Sequence, residues 1–250
     1  MKSVPEAQLT PIQMDLASFA SIKEAANKVL ATTSRLDILM NNAGIMAVPP
    51  ATTVEGYEIQ FGTNHMGHAL LTKLLLPILL KTAEQVQPSS DVRIVTLTSH
   101  SHTRAPKGGI DFSKLCSADP GFLPMTTYGV SKLANILHVK QLAKRYPTIK
   151  TVAIHPGMVN TDLSKTMRES FMLARIVMPI VSRFSAVGIE QGVLNQLWGA
   201  ASAKVESGQY YEPVGVGGNG SPLTEDVELA EKLWVWTEEE LMKWERRTRL

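Results

Sequence analysis

The sequence predicts an α/β domain, a parallel β-sheet covered by helices on both faces. Three observations predict it. Short apolar, β-branched runs alternate with longer segments of helical periodicity. The polar clusters fall at the carboxyl ends of those runs, at Asp15, Asn41 to Gly44, Ser99 and Pro156 to Thr161, which is where ligands gather in such sheets. The chain has 250 residues, enough for one large domain, and no linker, repeat or low-complexity stretch divides it.

Leu9 to Leu16 reads as a short strand with an acidic residue at its end. Ser18 to Leu30 has apolar residues at helical spacing, with Ser21 and Glu24 as a capping box. Leu36 to Met40 is a short apolar strand running into Asn41-Asn42-Ala43-Gly44, which is turn chemistry. After a loop holding Pro49-Pro50, Val54 to Leu80 is mostly helical, and Pro77 is expected to end or kink it. Val92 to Ser99 is a strand closing on hydroxyls, followed by a loop from His100 to Met125. Thr127 to Tyr146 is one long helix and Thr151 to His155 a strand. Lys165 to Phe184 and Val187 to Ala201 read as helices, Gln209 to Tyr211 as a last strand, and Glu225 to Arg247 as a final helix.

Composition narrows the function classes. Hydrophobic content of 44% and charged content of 19% are those of an ordinary globular protein. A net charge of +2, with no dense basic run before Arg246, gives no case for a nucleic-acid partner. The single cysteine, Cys116, rules out an internal disulfide and suits a reducing compartment. Met1 to Glu6 lacks the apolar core of a signal peptide. The apolar runs Ala69–Leu80 and Phe171–Phe184 are short and interrupted by Lys73 and Arg175, so no transmembrane segment is expected. A cytoplasmic location follows as the expectation, with peripheral membrane contact left open.

Tyr128 and Lys132 lie one helical turn apart and share a face. A phenol titrates at about 10. Positive charge within ~4–6 Å favours the phenolate and lowers that value. Such a pair is a proton donor and acceptor for near-neutral pH, although Tyr-x-x-x-Lys alone is a weak signal. The other clusters also have ordinary structural readings: Asp15 as a helix cap, Ser99 as a strand-end cap, Asn41–Gly44 and Pro156-Gly157 as turns. Asn64 in mid-helix is harder to explain that way, because Asn is a poor interior helix residue. His65 and His68 share a helix face, and His100 and His102 follow the Ser99 strand end. Neither pair has Asp, Glu or Cys at ligand spacing, so no metal is expected. His100 and His102 are candidates for lining a substrate pocket.

Asp15-Leu16, Asn41-Asn42-Ala43-Gly44, Asn64, Ser99, Tyr128 with Lys132, and Pro156-Gly157-Met158-Val159-Asn160-Thr161 occur together in a telling order. On these motifs the chain, from about Asp15 onward, resembles the short-chain dehydrogenase/reductases, in the retinol-dehydrogenase-like branch. The resemblance implies a Rossmann-like, doubly wound, three-layer αβα fold. It implies an NAD(P)-dependent oxidoreductase that interconverts an alcohol and a carbonyl on a small or lipophilic substrate. Tyr128 is then the proton donor in carbonyl reduction and the base in alcohol oxidation. Lys132 holds the nicotinamide ribose and lowers the Tyr128 pKa. Ser99 hydrogen-bonds the substrate oxygen, and Asn64 positions a water that relays protons past Lys132. For the cofactor, the resemblance places Asp15 and Leu16 near the adenine and Asn42, Ala43 and Gly44 along the dinucleotide. It places Tyr128 and Lys132 at the ribose, and Pro156, Gly157, Val159 and Thr161 towards the nicotinamide amide. NADP is slightly favoured over NAD by the resemblance alone. The apolar Phe171–Phe184 segment stands where the family keeps a substrate lid. The two long helices, Val54–Leu80 and Thr127–Tyr146, correspond to a frequent four-helix dimer interface, implying a homodimer.

Members of the family open with Thr-Gly-x-x-x-Gly-x-Gly, which takes the pyrophosphate at a helix N-terminus. This sequence has none before Asp15. The expectation is therefore a single domain over 1–250, truncated at the N-terminus and lacking the family's first two strands. The Leu9–Met14 strand would then pair directly with Leu36–Met40, stay loose, or borrow an edge from another chain. One literal match, Gly215-x-Gly217-x-x-Gly220, is set aside. Ser221-Pro222 separates it from the next helix, whose first turns carry Glu225, Asp226, Glu228 and Glu231 and would repel a pyrophosphate. It reads instead as a loop near the substrate entrance. The alternative functional reading is an inactive fragment or pseudoenzyme of the same family that cannot bind the dinucleotide.

Overall fold

The computed structural model describes residues 7–85, 91–157 and 188–248. The expected helix Lys165–Phe184, with its lid segment, lies outside them. The fold is Rossmann-like α/β. Four parallel strands form one sheet in the order β1 (Ile38–Asn41), β2 (Arg93–Leu97), β3 (Lys150–Ile154) and β4 (Tyr210–Tyr211). The helices are α1 (Phe19–Thr32), α2 (Ile59–Gln85), α3 (Pro124–Arg145), α4 (Ile189–Gly192), α5 (Leu194–Ala201) and α6 (Val227–Arg247).

Alternation along the strands sorts the core into layers. Ile94 of β2 belongs to the large core with Leu133 and Leu137 of α3. Val95 and Leu97, with Val152 and Ile154 of β3, belong to a second core with Tyr211 and Trp198 of α5. Gly199 lets α5 lie close to the sheet, because a Cβ there would stand 3.3 Å from methyls of Ile154 and Val95. The buried Arg93 ties the two together. Its guanidinium donates to the Asp91 carboxylate at 2.7 and 2.8 Å and to the Gly199 carbonyl at 2.9 Å.

Three expectations are corrected here. Leu9 to Met14 is not a strand and does not pair with β1; Leu9 is 88% exposed. Pro11 has no ladder donor to give, and the chain turns at Asp15, whose carbonyl and carboxylate accept from Ser18 N and Ala17 N at 3.2 and 2.8 Å. Among the described residues the outer edge of β1 is therefore unpaired, with Ile38 and Met40 exposed beside it. Second, the cap of α1 is Ser18, whose hydroxyl accepts from Ser21 N; the Ser21 hydroxyl accepts from Asp15 N, and Glu24 pairs with Lys28 instead. Third, α2 continues through Pro77 to Gln85. Proline in a helix costs about 3 kcal/mol or more, but Ile78, Leu79 and Ala83 beyond it are buried in the main core, and that packing outweighs the missing bond. By length and composition α2 could cross a membrane, but here most of its apolar window is buried within the fold.

Helix α6 packs against α3 and the first half of α2. Leu233 and Leu241 are fully buried, and the Trp236 ring packs edge-on against Tyr57 and Phe61. Trp234 stacks on His138 of α3 at 5.2 Å, and His65 Nε2 of α2 meets Thr237 Oγ1 at 3.0 Å. Tyr57 donates to Glu240, and Lys73 to Glu238 at 2.8 Å. Burial holds His68 of α2 and His138 of α3 down to about 4, from an ordinary value of 6.5. A histidine whose folded pKa lies below its unfolded one takes its proton later than the unfolded chain does. Stability is thus undiminished above pH 6.5 and falls as pH drops towards 4. Each histidine is expected to remove on the order of 3 kcal/mol over that window. Urea midpoints measured from pH 7 to pH 4.5 check this, and a flat profile would contradict it.

Candidate active site

The carboxyl end of β2 and the first turns of α3 build the site. β2 ends at Leu97, and Thr98 and Ser99 continue in extended conformation to a 3₁₀ turn over His100–Arg104. α3 is fastened against that end by three bonds. Thr98 Oγ1 donates to the Lys132 carbonyl at 2.7 Å, while Lys132 Nζ and Asn135 Nδ2 both donate to the Leu97 carbonyl at 3.1 Å. Gly129 lets the 3₁₀ turn press onto α3, since a Cβ there would lie 2.4 Å from the Ser101 carbonyl oxygen.

Tyr128 and Lys132 share a buried face of α3, with the Lys132 ammonium 5.5 Å from the Tyr128 ring centroid. The expected lowering of the Tyr128 pKa by Lys132 is not what the structure has. Burial pushes the phenol up to about 12, with only the Ser99 side chain pulling the other way. Burial also brings Lys132 down to about 8. Desolvation disfavours the charged form of both groups. It dominates because the ammonium points at the Leu97 carbonyl and not at the phenol oxygen.

Ser99 is nearly buried and also caps the 3₁₀ turn, accepting from Ser101 N at 3.1 Å. Asn64 sits in a π-helical turn, Gly62–Met66, inside α2. Such turns shift side chains out of the α-helical register and recur at functional sites. Its amide is a clamp: Oδ1 accepts from Ile45 N at 2.8 Å, and Nδ2 donates to the Ile45 carbonyl at 2.9 Å and to Ser131 Oγ at 3.0 Å. Asn64 thus joins the loop after β1 to α3, and its backbone carbonyl meets His68 Nδ1 at 2.9 Å. Gly44 closes the group, because a Cβ there would lie 2.9 Å from Asn64 Oδ1 and 3.5 Å from Lys132 Nζ.

The structure brings Gly44, Asn64, Lys132, Tyr128 and the Ser99 turn together. Asn42 and Ala43 are exposed on the loop leading in. Asp15 is exposed in the turn before α1, and Leu16 is buried against the start of α2, its carbonyl 2.5 Å from where a Gly67 Cβ would be. Pro156 and Gly157 follow β3, with Gly157 at φ +84°. Val159 and Thr161 lie outside the described residues. The Gly215-x-Gly217-x-x-Gly220 loop is mostly exposed, but Gly215 lies so close to Trp198 that a Cβ would stand 2.9 Å from the indole. His65 and His68 are core residues. Among the described residues no group of three or more His, Cys, Asp or Glu side chains is arranged to hold a metal ion.

Sequence reasoning did not reach three neighbours. Asn195 of α5 donates to the His155 and Tyr211 carbonyls at 2.8 and 3.0 Å, clamping the ends of β3 and β4. Glu212 and His155 stand at those ends as well, and their position at the carboxyl ends of predicted strands was the available signal. The site suits half of a dinucleotide. The phenol, the ammonium and the open loop at Asn42 and Ala43 suit a nicotinamide riboside. The pyrophosphate half finds no glycine-rich strand–turn–helix among the described residues.

A family model described as short chain dehydrogenase matches residues 1–113. A short-chain dehydrogenase/reductase of Aspergillus calidoustus, drtF, is 38% identical over 253 residues, covering 96% of this chain and 79% of its own length. Mouse retinol dehydrogenase 14 is 36% identical over 239 residues, covering 92% of this chain and 66% of its own. Among solved structures, an uncharacterized Mycobacterium paratuberculosis protein superposes with a TM-score of 0.66 at 28% identity, covering 91% of this chain and 73% of that one. The NADPH-bound carbonyl reductase from chicken fatty liver superposes with a TM-score of 0.54 at 24% identity, covering 80% of this chain and 72% of that one, a likeness of fold.

Proposed function

The chain belongs to the short-chain dehydrogenase/reductase family, a family of NAD(P)-dependent oxidoreductases, and on that premise we propose that it interconverts an alcohol and a carbonyl at the Tyr128 site. The observation that carries this reading is the convergence of Tyr128, Lys132, Asn64 and the Ser99 turn on one buried spot at the carboxyl end of β2. In this reading Tyr128 Oη gives its proton to the oxygen of a carbonyl undergoing reduction and takes it from an alcohol undergoing oxidation. The high pKa of the buried phenol suits it to hold that proton until charge develops on the substrate oxygen. Ser99 Oγ orients the same oxygen. Lys132 carries the positive charge next to the phenol, and Asn64 fixes the loop that a nicotinamide riboside would lie along. The dinucleotide, when bound, supplies or accepts the hydride. A relative named for retinol supports a lipophilic alcohol as substrate. Pairing of two copies through α2 and α3 belongs to the same reading.

A second reading has its own observation. The β1 edge is unpaired among the described residues, and these 250 residues hold no glycine-rich turn before a helix except the 215–220 loop. This reading is an inactive member of the family. Its expectation is that the 250-residue polypeptide alone binds NADH or NADPH more weakly than roughly 100 μM, where a fully seated dinucleotide would reach the low micromolar range. Fluorescence titration with both dinucleotides decides. Micromolar binding of either one removes the second reading, and its preference names the cofactor.

A further inference from the structure

Titratable side chains outside the Tyr128–Lys132 pair meet where β2, β3 and β4 end. Glu212, directly after β4, is their hub. His100 Nδ1 lies 3.1 and 3.2 Å from its two carboxylate oxygens, the Tyr210 hydroxyl donates to it, and His155 Nε2 is 3.8 Å away. The 213–220 loop holds Glu212 in place. Glu212 N donates to the Val216 carbonyl at 2.8 Å, and Asn219 Nδ2 donates to the Glu212 carbonyl at 2.6 Å. The glycine pattern in this loop thus serves to position a carboxylate.

Among the described residues no Lys or Arg pairs with this carboxylate. Its side chain is 21% exposed, and among the described residues its ion-pair partners are the two histidines. His102 cannot help: its Nδ1 donates to the Ser99 carbonyl and its Nε2 accepts from Ser221 N, which fixes a neutral ring. Burial holds the His155 imidazole below its ordinary range, the Lys132 charge on α3 and the neighbouring histidines push the same way, and Glu212 opposes them. The Glu212 carboxylate thus stands beside His100, the residue after Ser99, and a part-buried carboxylate with no Lys or Arg partner among the described residues favours a cation that can reach it.

We propose that Glu212 is a specificity-determining residue, its cluster with His100 and His155 forming a recognition site for an ammonium or other cationic group on the substrate and disfavouring carboxylate-bearing substrates. The role in catalysis rests on the Tyr128 reading; the binding preference does not. Benzylamine, benzyl alcohol and benzoate are titrated into the chain at pH 7.5, following the His100 and His155 ring signals by NMR, assigned with His100→Asn and His155→Asn. Benzylammonium is expected to bind about tenfold or more tighter than benzoate, and Glu212→Gln to bring the two within roughly threefold. Raising the parent to about 1 M NaCl is expected to shrink the preference as well. Equal binding in the parent, or a preference that survives in Glu212→Gln, overturns the proposal. Glu212→Asp keeps the charge and should keep the preference; should the Gln variant not fold, this variant and the salt arm on the parent decide. An inactive parent that still discriminates the probes would count against the Tyr128 reading and not against this one.

Discussion

Tyr128→Phe is expected to lower turnover by roughly 10³-fold while leaving the thermal midpoint nearly unchanged. The hydroxyl is the one proton-bearing group of the site that sits on a rigid helix and faces the Ser99 side chain. Its removal leaves the ring packed in the same buried position, and loss of one hydroxyl costs on the order of 1 kcal/mol at most where its bonding is weak. A rate lost with the fold retained separates chemistry from packing. The assay uses a panel of neutral ketones with NADPH and NADH in parallel with circular dichroism. Retained turnover in the variant would remove Tyr128 from the mechanism.

Gly129→Ala is the second large effect, and it acts through backbone. Alanine is favoured over glycine in a helix interior by about 1 kcal/mol. Here that gain is overridden, because the new Cβ would meet the Ser101 carbonyl oxygen at 2.4 Å, with Arg104 Cβ at 3.2 Å and Ala105 N at 3.3 Å. None of these can swing aside as a flexible side-chain tip can, so the 3₁₀ turn must lift from α3. Overpacking of this kind costs typically 1–3 kcal/mol. The turn begins at Ser99, so the hydroxyl moves with it, and a rate loss of about tenfold or more is expected alongside the lost stability. Gly108→Ala is the control, since nothing lies within 4 Å of its added Cβ. Chemical denaturation of the two variants, with turnover measured on each, tests the contrast; a Gly129→Ala protein as stable and active as the parent would show that the turn is not held by this contact.

Much of this was legible in the sequence where the signal is local. The runs at 93–97 and 150–154 are strands whose side chains fill both faces of a covered sheet, while 38–41 is an edge strand that alternates exposed and buried. The one-turn spacing of Tyr128 and Lys132 places them on a common face whatever surrounds them. What the sequence could not convey was set by distant partners. Leu9 to Met14 has strand composition, but a strand is made by its neighbour. Pro77 has a fixed local cost that distant packing outweighs. The Tyr128 phenol was expected to be acidified by Lys132, but the direction depends on where the ammonium points and how dry the pocket is. Asn64 was recognised as an oddity in a helix, while the π turn that carries it and the loop it clamps are visible only in three dimensions. Glu212 and His155 were passed over because no short motif links positions so far apart.

The packing of α6 against α2 and α3 also bears on how the chain reaches this structure. Tyr57 bonds Glu240, His65 meets Thr237 and Lys73 pairs with Glu238 across 183, 172 and 165 positions. Contacts so remote in sequence must overcome loop-closure entropy before they contribute, which slows folding. Phe61, His65 and His138 wait uncovered until α6 docks, so refolding is expected to pass through a species with a formed sheet and an open aromatic face.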